Sequence, residues 1–150
     1  MLNNTFKETS QKLTESELVD VEKKFAFTFP EELKKLYLQY NGGEPEKYIF
    51  IDDEGSEFVI QKVLPIKYSN KGMDTLEKYI EDFREDGILP EWLIPFAYDP
   101  GGDLFCFSIN TEDNGSIYYW SHEYDLNEDP EDYVVKVSQS MNNFISNLSK

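Results

Sequence analysis

Apolar residues recur at helical spacing near the start of the chain. Leu18, Val21 and Phe25 fall on one face, and Thr14 followed three residues later by Glu17 is the capping-box pattern that opens a helix. Pro30 suits the first turn of a second helix, where its missing N–H breaks no bond. Leu33, Leu36, Tyr37 and Tyr40 form its stripe. Asn41-Gly42-Gly43 stops it, with a glycine free to take the left-handed conformation. Residues 1–13 are polar and weakly patterned and predict a loose N-terminal arm. Segments 48–51 and 58–66 read as strands on either side of an acidic turn, Asp52-Asp53-Glu54-Gly55. A third helix is predicted over about 74–85, packing Leu76, Tyr79, Ile80 and Phe83, and Gly87 and Pro90 end it.

Three short strands follow, at 93–97, 104–109 and 117–120. Asn114-Gly115 joins the last two as a hairpin, because both residues tolerate positive φ. Asp99-Pro100-Gly101-Gly102 has the chemistry to reverse the chain between the first two. Asp129-Pro130-Glu131-Asp132 combines a cap, a proline and first-turn acids, and predicts a long C-terminal helix. Its stripe is Val134, Val137, Met141, Phe144, Ile145 and Leu148. Helices at both ends and strands in the middle give an α+β fold. The expected architecture is a central antiparallel sheet of about five to six strands with helices packed around it, an N-terminal helix pair and that last helix. A length of 150 residues predicts one domain, 1–150.

Charge adds a second pattern. The net charge is −16, from 14 basic and 30 acidic side chains. No lysine or arginine lies between Arg84 and Lys136, yet residues 85–135 hold thirteen acids. The other 99 residues carry 17 acids against all 14 bases. Most of the field therefore comes from one segment. Such a chain repels nucleic acid and anionic membrane and attracts a basic protein. The single cysteine excludes an internal disulfide and suggests a reducing compartment. No charged and apolar leader opens the chain, so a cytoplasmic location is expected. No apolar run approaches 18 residues.

Catalytic and cofactor chemistry finds little purchase. Gly101-Gly102 precedes a strand and is flanked by Asp99 and Asp103, whereas a phosphate cradle needs a following helix, a lysine and a hydroxyl. The acids near Asp99 and Asp113 do not follow the calcium-loop series, and one His with one Cys cannot close a zinc site. Cys106 inside "LFCFSI" reads as a small core hydrophobe rather than a nucleophile served by His122. His122 reads as a surface residue beside Glu123. No enzyme activity and no cofactor are expected. In "IYYWSHEY", Tyr118 and Trp120 share one strand face while Ile117 and Tyr119 share the other, so one set can fill the core and the other stay partly exposed. Exposed Tyr and Trp among acids make a binding surface that steers a basic partner. The candidate contacts are Glu44, Glu46, Asp99, Asp103, Glu112, Asp113, Tyr118, Trp120, Glu123 and Asp125.

The order of "LYLQYNGGEPE", "IPFAYDPGGDLFCFSI" and "GSIYYWSHEYD" resembles the SUKH superfamily, the group related to the fungal cell-wall assembly regulators. The likeness runs from about Leu13 to the C-terminus. Asn110 departs from the pattern, since many members carry an aspartate there. The resemblance implies an α+β domain without catalysis. In bacteria it implies an immunity protein that binds and neutralises a secreted toxin domain, often a nuclease. An acidic protein suits that role by mimicking the nucleic acid such a toxin expects. The alternative it implies is a regulatory or scaffold module with host proteins as partners.

Overall fold

The computed structural model describes residues 3–69, 72, 74–123 and 129–150. Its centre is a five-stranded antiparallel sheet in the order β5 (Lys62–Val63), β6 (Leu93–Tyr98), β7 (Leu104–Ser108), β8 (Ile117–Trp120) and β9 (Val134–Ser138). Strand β7 is buried at every residue. Its side chains alternate between two clusters. Phe105 and Phe107 enter the larger core, while Leu104 and Cys106 enter a smaller one with Ile88, Leu89, Leu93 and Trp120. An unbroken apolar strand of this kind needs cover on both faces. Helices α1 (Glu15–Phe25), α2 (Glu31–Gln39) and α4 (Met141–Ser146) contribute to the larger cluster, as do Leu76 and Ile80 of α3 (Leu76–Asp86), whose Phe83 meets Trp120 in the smaller, with ring centroids 5.3 Å apart.

Local sequence accounts for several boundaries. Glu17 N–H donates to the Thr14 hydroxyl (3.2 Å) and Thr14 N–H to the Glu17 carboxylate (2.9 Å), the capping box expected at α1. Thr75 caps α3, and Gly87 ends it in the left-handed region at φ 66°. Pro95 sits in β6 where no β5 residue lies opposite, so its missing donor costs no ladder bond, and a bulge follows before Ala97.

Three expectations change. The long C-terminal helix is replaced by a 3-10 turn (Pro130–Tyr133), the strand β9 and the short α4. Asp129 caps only the turn, by accepting from Glu131 N–H at 3.0 Å. Val134, Val137 and Met141 fit a helical stripe, but the β-branched run Val134-Val135-Lys136-Val137 fits a strand equally, and the open side of β8 takes it up. Ser140 then caps α4. Segment 58–66 does not form one strand. Glu57–Val59 (β4) pairs with Ile49–Ile51 (β3) in a separate hairpin, and Lys62–Val63 joins the main sheet. The segment expected as a loose arm pairs Phe6–Lys7 (β1) with Glu44–Pro45 (β2), and buried Asn4 donates to the Lys47 carbonyl at 2.9 Å.

Asn41-Gly42-Gly43 does more than stop α2. The buried Asn41 carboxamide donates to the carbonyls of Gln11 (2.8 Å) and Ile66 (2.9 Å) and accepts from Ile66 N–H (2.7 Å). It ties the N-terminal segment, the end of α2 and the chain after β5 together. The glycines let those backbones touch. A Cβ on Gly43 would lie 2.4 Å from the Lys7 carbonyl oxygen, and one on Gly42 2.7 Å from that of Val63. Gly43 and Gly102 have similar φ, 108° and 97°, but Gly102 faces open space. Gly102→Ala is therefore expected to cost about 1 kcal/mol from backbone strain alone, and Gly43→Ala at least about 3 kcal/mol, because the overlap adds to the same strain. Urea unfolding of the two variants checks the difference.

Candidate functional site

The acidic segment does not form one continuous surface. The β7–β8 hairpin divides it into two clusters, one at each end, and two consecutive tyrosines of β8 reach them from opposite faces. Tyr119 lies on the face of the larger core, against Phe58 (ring centroids 5.2 Å). Its hydroxyl donates to Asp103 (2.6 Å) and also bonds Asp99. Tyr118 lies on the other face, edge-on to Trp92 at 5.0 Å, and its hydroxyl donates to Asp113 at 2.5 Å. This is strand alternation acting on adjacent residues.

At the first end, the Asp99-Pro100-Gly101-Gly102 turn is as the sequence suggested. The Asp99 carboxylate accepts from the N–H groups of Gly101 and Asp103, both at 2.9 Å, so it builds the turn from inside. Asp103 accepts from His122 N–H at 2.8 Å and bonds the His122 ring through Nδ1. Burial acts to raise the Asp103 carboxyl. The His122 main chain, the Tyr119 hydroxyl and the His122 ring outweigh it and hold the carboxyl below its ordinary value. The Asp103 hydrogen bond raises His122 above its ordinary value. Burial, then the bonds to Asp103 and Asp99, push the Tyr119 hydroxyl far up, so it stays protonated as a donor. Glu123 is exposed beside this group, and Asp125 lies outside the described residues.

At the second end, Asp113 accepts from the Ser108 hydroxyl at 2.6 Å as well as from Tyr118. Burial raises its carboxyl, but the Ser108 and Tyr118 bonds and the charge of Lys136 lower it overall. Burial and Asp113 push Tyr118 up to about 12. Trp92 Nε1 donates to Glu131 at 2.7 Å nearby. Glu112 is exposed on the connecting turn.

The remaining candidates lie elsewhere. Glu44 and Glu46 belong to the β1–β2 region beyond β5, and each faces a lysine: Lys62 at 3.9 Å and Lys150 at 2.8 Å. The Lys150 and Thr5 hydrogen bonds hold Glu46 at about 2. Trp120 corrects the expectation of a partner contact. It is 2% exposed, and its Nε1 donates to the Ile88 carbonyl at 3.1 Å. Its position opposite Leu104 and Val134 places it on the face that α3 closes. Cys106 is fully buried, and burial raises its thiol strongly. His122, by contrast, is half exposed on the rim. Among the described residues, no three His, Cys, Asp or Glu side chains converge as a metal site, and no helix is long and apolar enough to cross a membrane.

Sequence reasoning missed Ser108 and Lys136 as supports of Asp113, and Trp92 as the ring that packs on Tyr118. Ser108 could have been noticed as the one polar residue closing the apolar run of β7. Trp92 and Lys136 carried no signal, since their partners come from distant segments.

Together these features define an α+β domain whose antiparallel sheet is covered on both faces and whose hairpin ends are rimmed with tethered carboxylates. The chain belongs to the SMI1 / KNR4 family (SUKH-1), whose family model matches residues 12–147. No curated protein matches its sequence.

Two outcomes follow from this chemistry. The His122–Asp103 pair should stabilise the fold most between the ordinary values of its members, 3.8 and 6.5. The raised His122 contributes fully below 6.5 and loses its contribution as pH rises through its folded value. The lowered Asp103 contributes above 3.8 and loses its contribution as pH falls through its folded value. Urea unfolding at pH 5.5 and 8.5 should give a smaller difference for His122→Ala than for the native chain. Separately, a thiol reagent at neutral pH should modify Cys106 only after denaturation.

Proposed function

We propose that this chain is a cytoplasmic immunity protein that binds and neutralises a toxin domain, with no catalysis of its own. A basic nuclease is the partner class that fits its charge. The observation that carries the reading is the base-free segment 85–135, whose carboxylates rim both ends of the β7–β8 hairpin. Membership of the SMI1 / KNR4 (SUKH-1) family supports it at the level of a protein-binding immunity domain.

The physics favours fixed charge. Asp99, Asp103 and Asp113 are held by hydroxyl and main-chain donors, so little side-chain entropy is lost when a cation meets them. Glu112 and Glu123 are exposed rim charges that steer rather than anchor. A surface of this kind accelerates encounter with a basic protein.

The test is co-expression with the product of the neighbouring gene. A tight 1:1 complex is expected, with an association rate that falls about tenfold or more between low and high salt. Glu112→Lys with Glu123→Lys should slow association while shifting stability by no more than about 0.5 kcal/mol, since both residues are exposed. Salt-independent association would remove the electrostatic basis. Recovery of host proteins alone would favour a regulatory or scaffold module instead.

A further inference from the structure

The five-stranded sheet ends at β9, and among the described residues no strand pairs with its outer side. Pairing with β8 fixes which groups face out. Ser121 N–H donates to the Tyr133 carbonyl at 3.0 Å, so the next hydrogen-bonded pair is Tyr119 with Val135. Val134 and Lys136, opposite Trp120 and Tyr118, then direct their N–H and C=O groups away from β8. An edge of this kind is a template for another strand unless it is covered or blunted.

Here the edge borders a groove of about 600 Å³. One wall is β9 from Val135 to Ser138 with the start of α4, and the other is Phe50 with the turn Asp52, Asp53 and Glu54. Val135 is 59% exposed, which leaves an apolar side chain on the edge. It shares a sheet face with its neighbour Tyr119, which packs on Phe58 of β4, so that face looks toward the β3–β4 hairpin. The turn supplies three acids and no base. Asp52 is occupied in shaping it, accepting from Glu54 N–H (3.0 Å) and Ser56 N–H (2.8 Å), while Asp53 and Glu54 are exposed. The one base on the walls, Lys136, has its charge directed to Asp113.

We propose that the outer edge of β9 accepts an extended, basic segment of a protein partner as an added strand. Its main chain pairs with Val134 and Lys136, and its lysine or arginine side chains on the Val135 face reach Asp53 and Glu54. Main-chain bonds give the register and alternate side chains give the selectivity. A second copy of this chain is the poorer occupant, because a net charge of −16 opposes self-association. The proposal rests on the reading that the partner is a basic protein, but not on that protein being a toxin.

The probe is a capped octapeptide of alternating lysine and valine, titrated into the ¹⁵N-labelled full chain. The Val134 and Lys136 amides should shift and exchange more slowly with solvent. Asp53→Lys with Glu54→Lys should weaken binding about tenfold or more. Lys136→Pro should abolish it, because it removes an outward donor and leaves the β8 ladder intact. The turn variant keeps the test decisive if the proline variant loses its fold, since residues 53 and 54 are exposed and make no ladder bond. Changes confined to Asp99, Asp103 or Asp113, no binding, unchanged affinity in the turn variant, or a dimer that protects the same amides in the free chain would overturn the proposal. Failure to form a complex with the neighbouring gene's product would instead refute the toxin reading and leave the peptide result standing.

Discussion

Strand β7 is buried from end to end, and the rest of the structure follows from that constraint. A strand with no solvent face must give every main-chain group to a ladder and every side chain to a core. Helices must therefore cover both sides of the sheet. The larger cluster takes α1, α2, α4 and the buried Leu76 and Ile80 of α3. The smaller needs α3, with Phe83 against Trp120 and Tyr79 stacked on Phe83 at 5.7 Å. Cys106 is quiet for the same reason: it lies at the middle of the most enclosed strand, where a thiolate has no solvation.

Burial at the centre pushes charge to the ends. Among the described residues, the acids of the 85–135 segment occupy turns, helix ends and rims rather than strand interiors, because an unpaired buried carboxylate would cost several kcal/mol. Those nearest the core are stabilised by neutral donors. Tyr119 serves Asp99 and Asp103, and Tyr118 with Ser108 serves Asp113. Each tyrosine joins an aromatic body in the core to a hydroxyl on the rim, so the acidic surface and the hydrophobic core are one mechanical unit. A partner that docks on the rim meets carboxylates whose positions the core has fixed.

Much of this was legible in the sequence where the signal is local. The Thr14–Glu17 box, the Gly87 end of α3 and the Asp99 turn all depend on residues within four or five positions of each other. The misread regions depend on partners far away. The stripe Val134, Val137, Met141 satisfies a helix, and only the unpaired side of β8 turns its first half into a strand. Segment 58–66 divides because β4 and β5 belong to different sheets. Asn41 looked like punctuation after a helix, whereas its partners, Gln11 and Ile66, are 30 and 25 residues away.

The sequence by itself determined the α+β class, the acid-rich segment and the inert setting of Cys106, because composition, charge distribution and short-range patterning carry that information without knowledge of contacts. Tertiary structure alone decided how the acids are grouped. Tyr118 and Tyr119 are neighbours in the chain but point to opposite faces of a sheet covered on both sides, so one run of acids becomes two clusters. It also decided that Trp120 is core and that, among the described residues, β9 is the outer strand of the sheet, because both depend on which strand lies opposite, and pairing across tens of residues is set by the collective packing of the sheet rather than by any local preference.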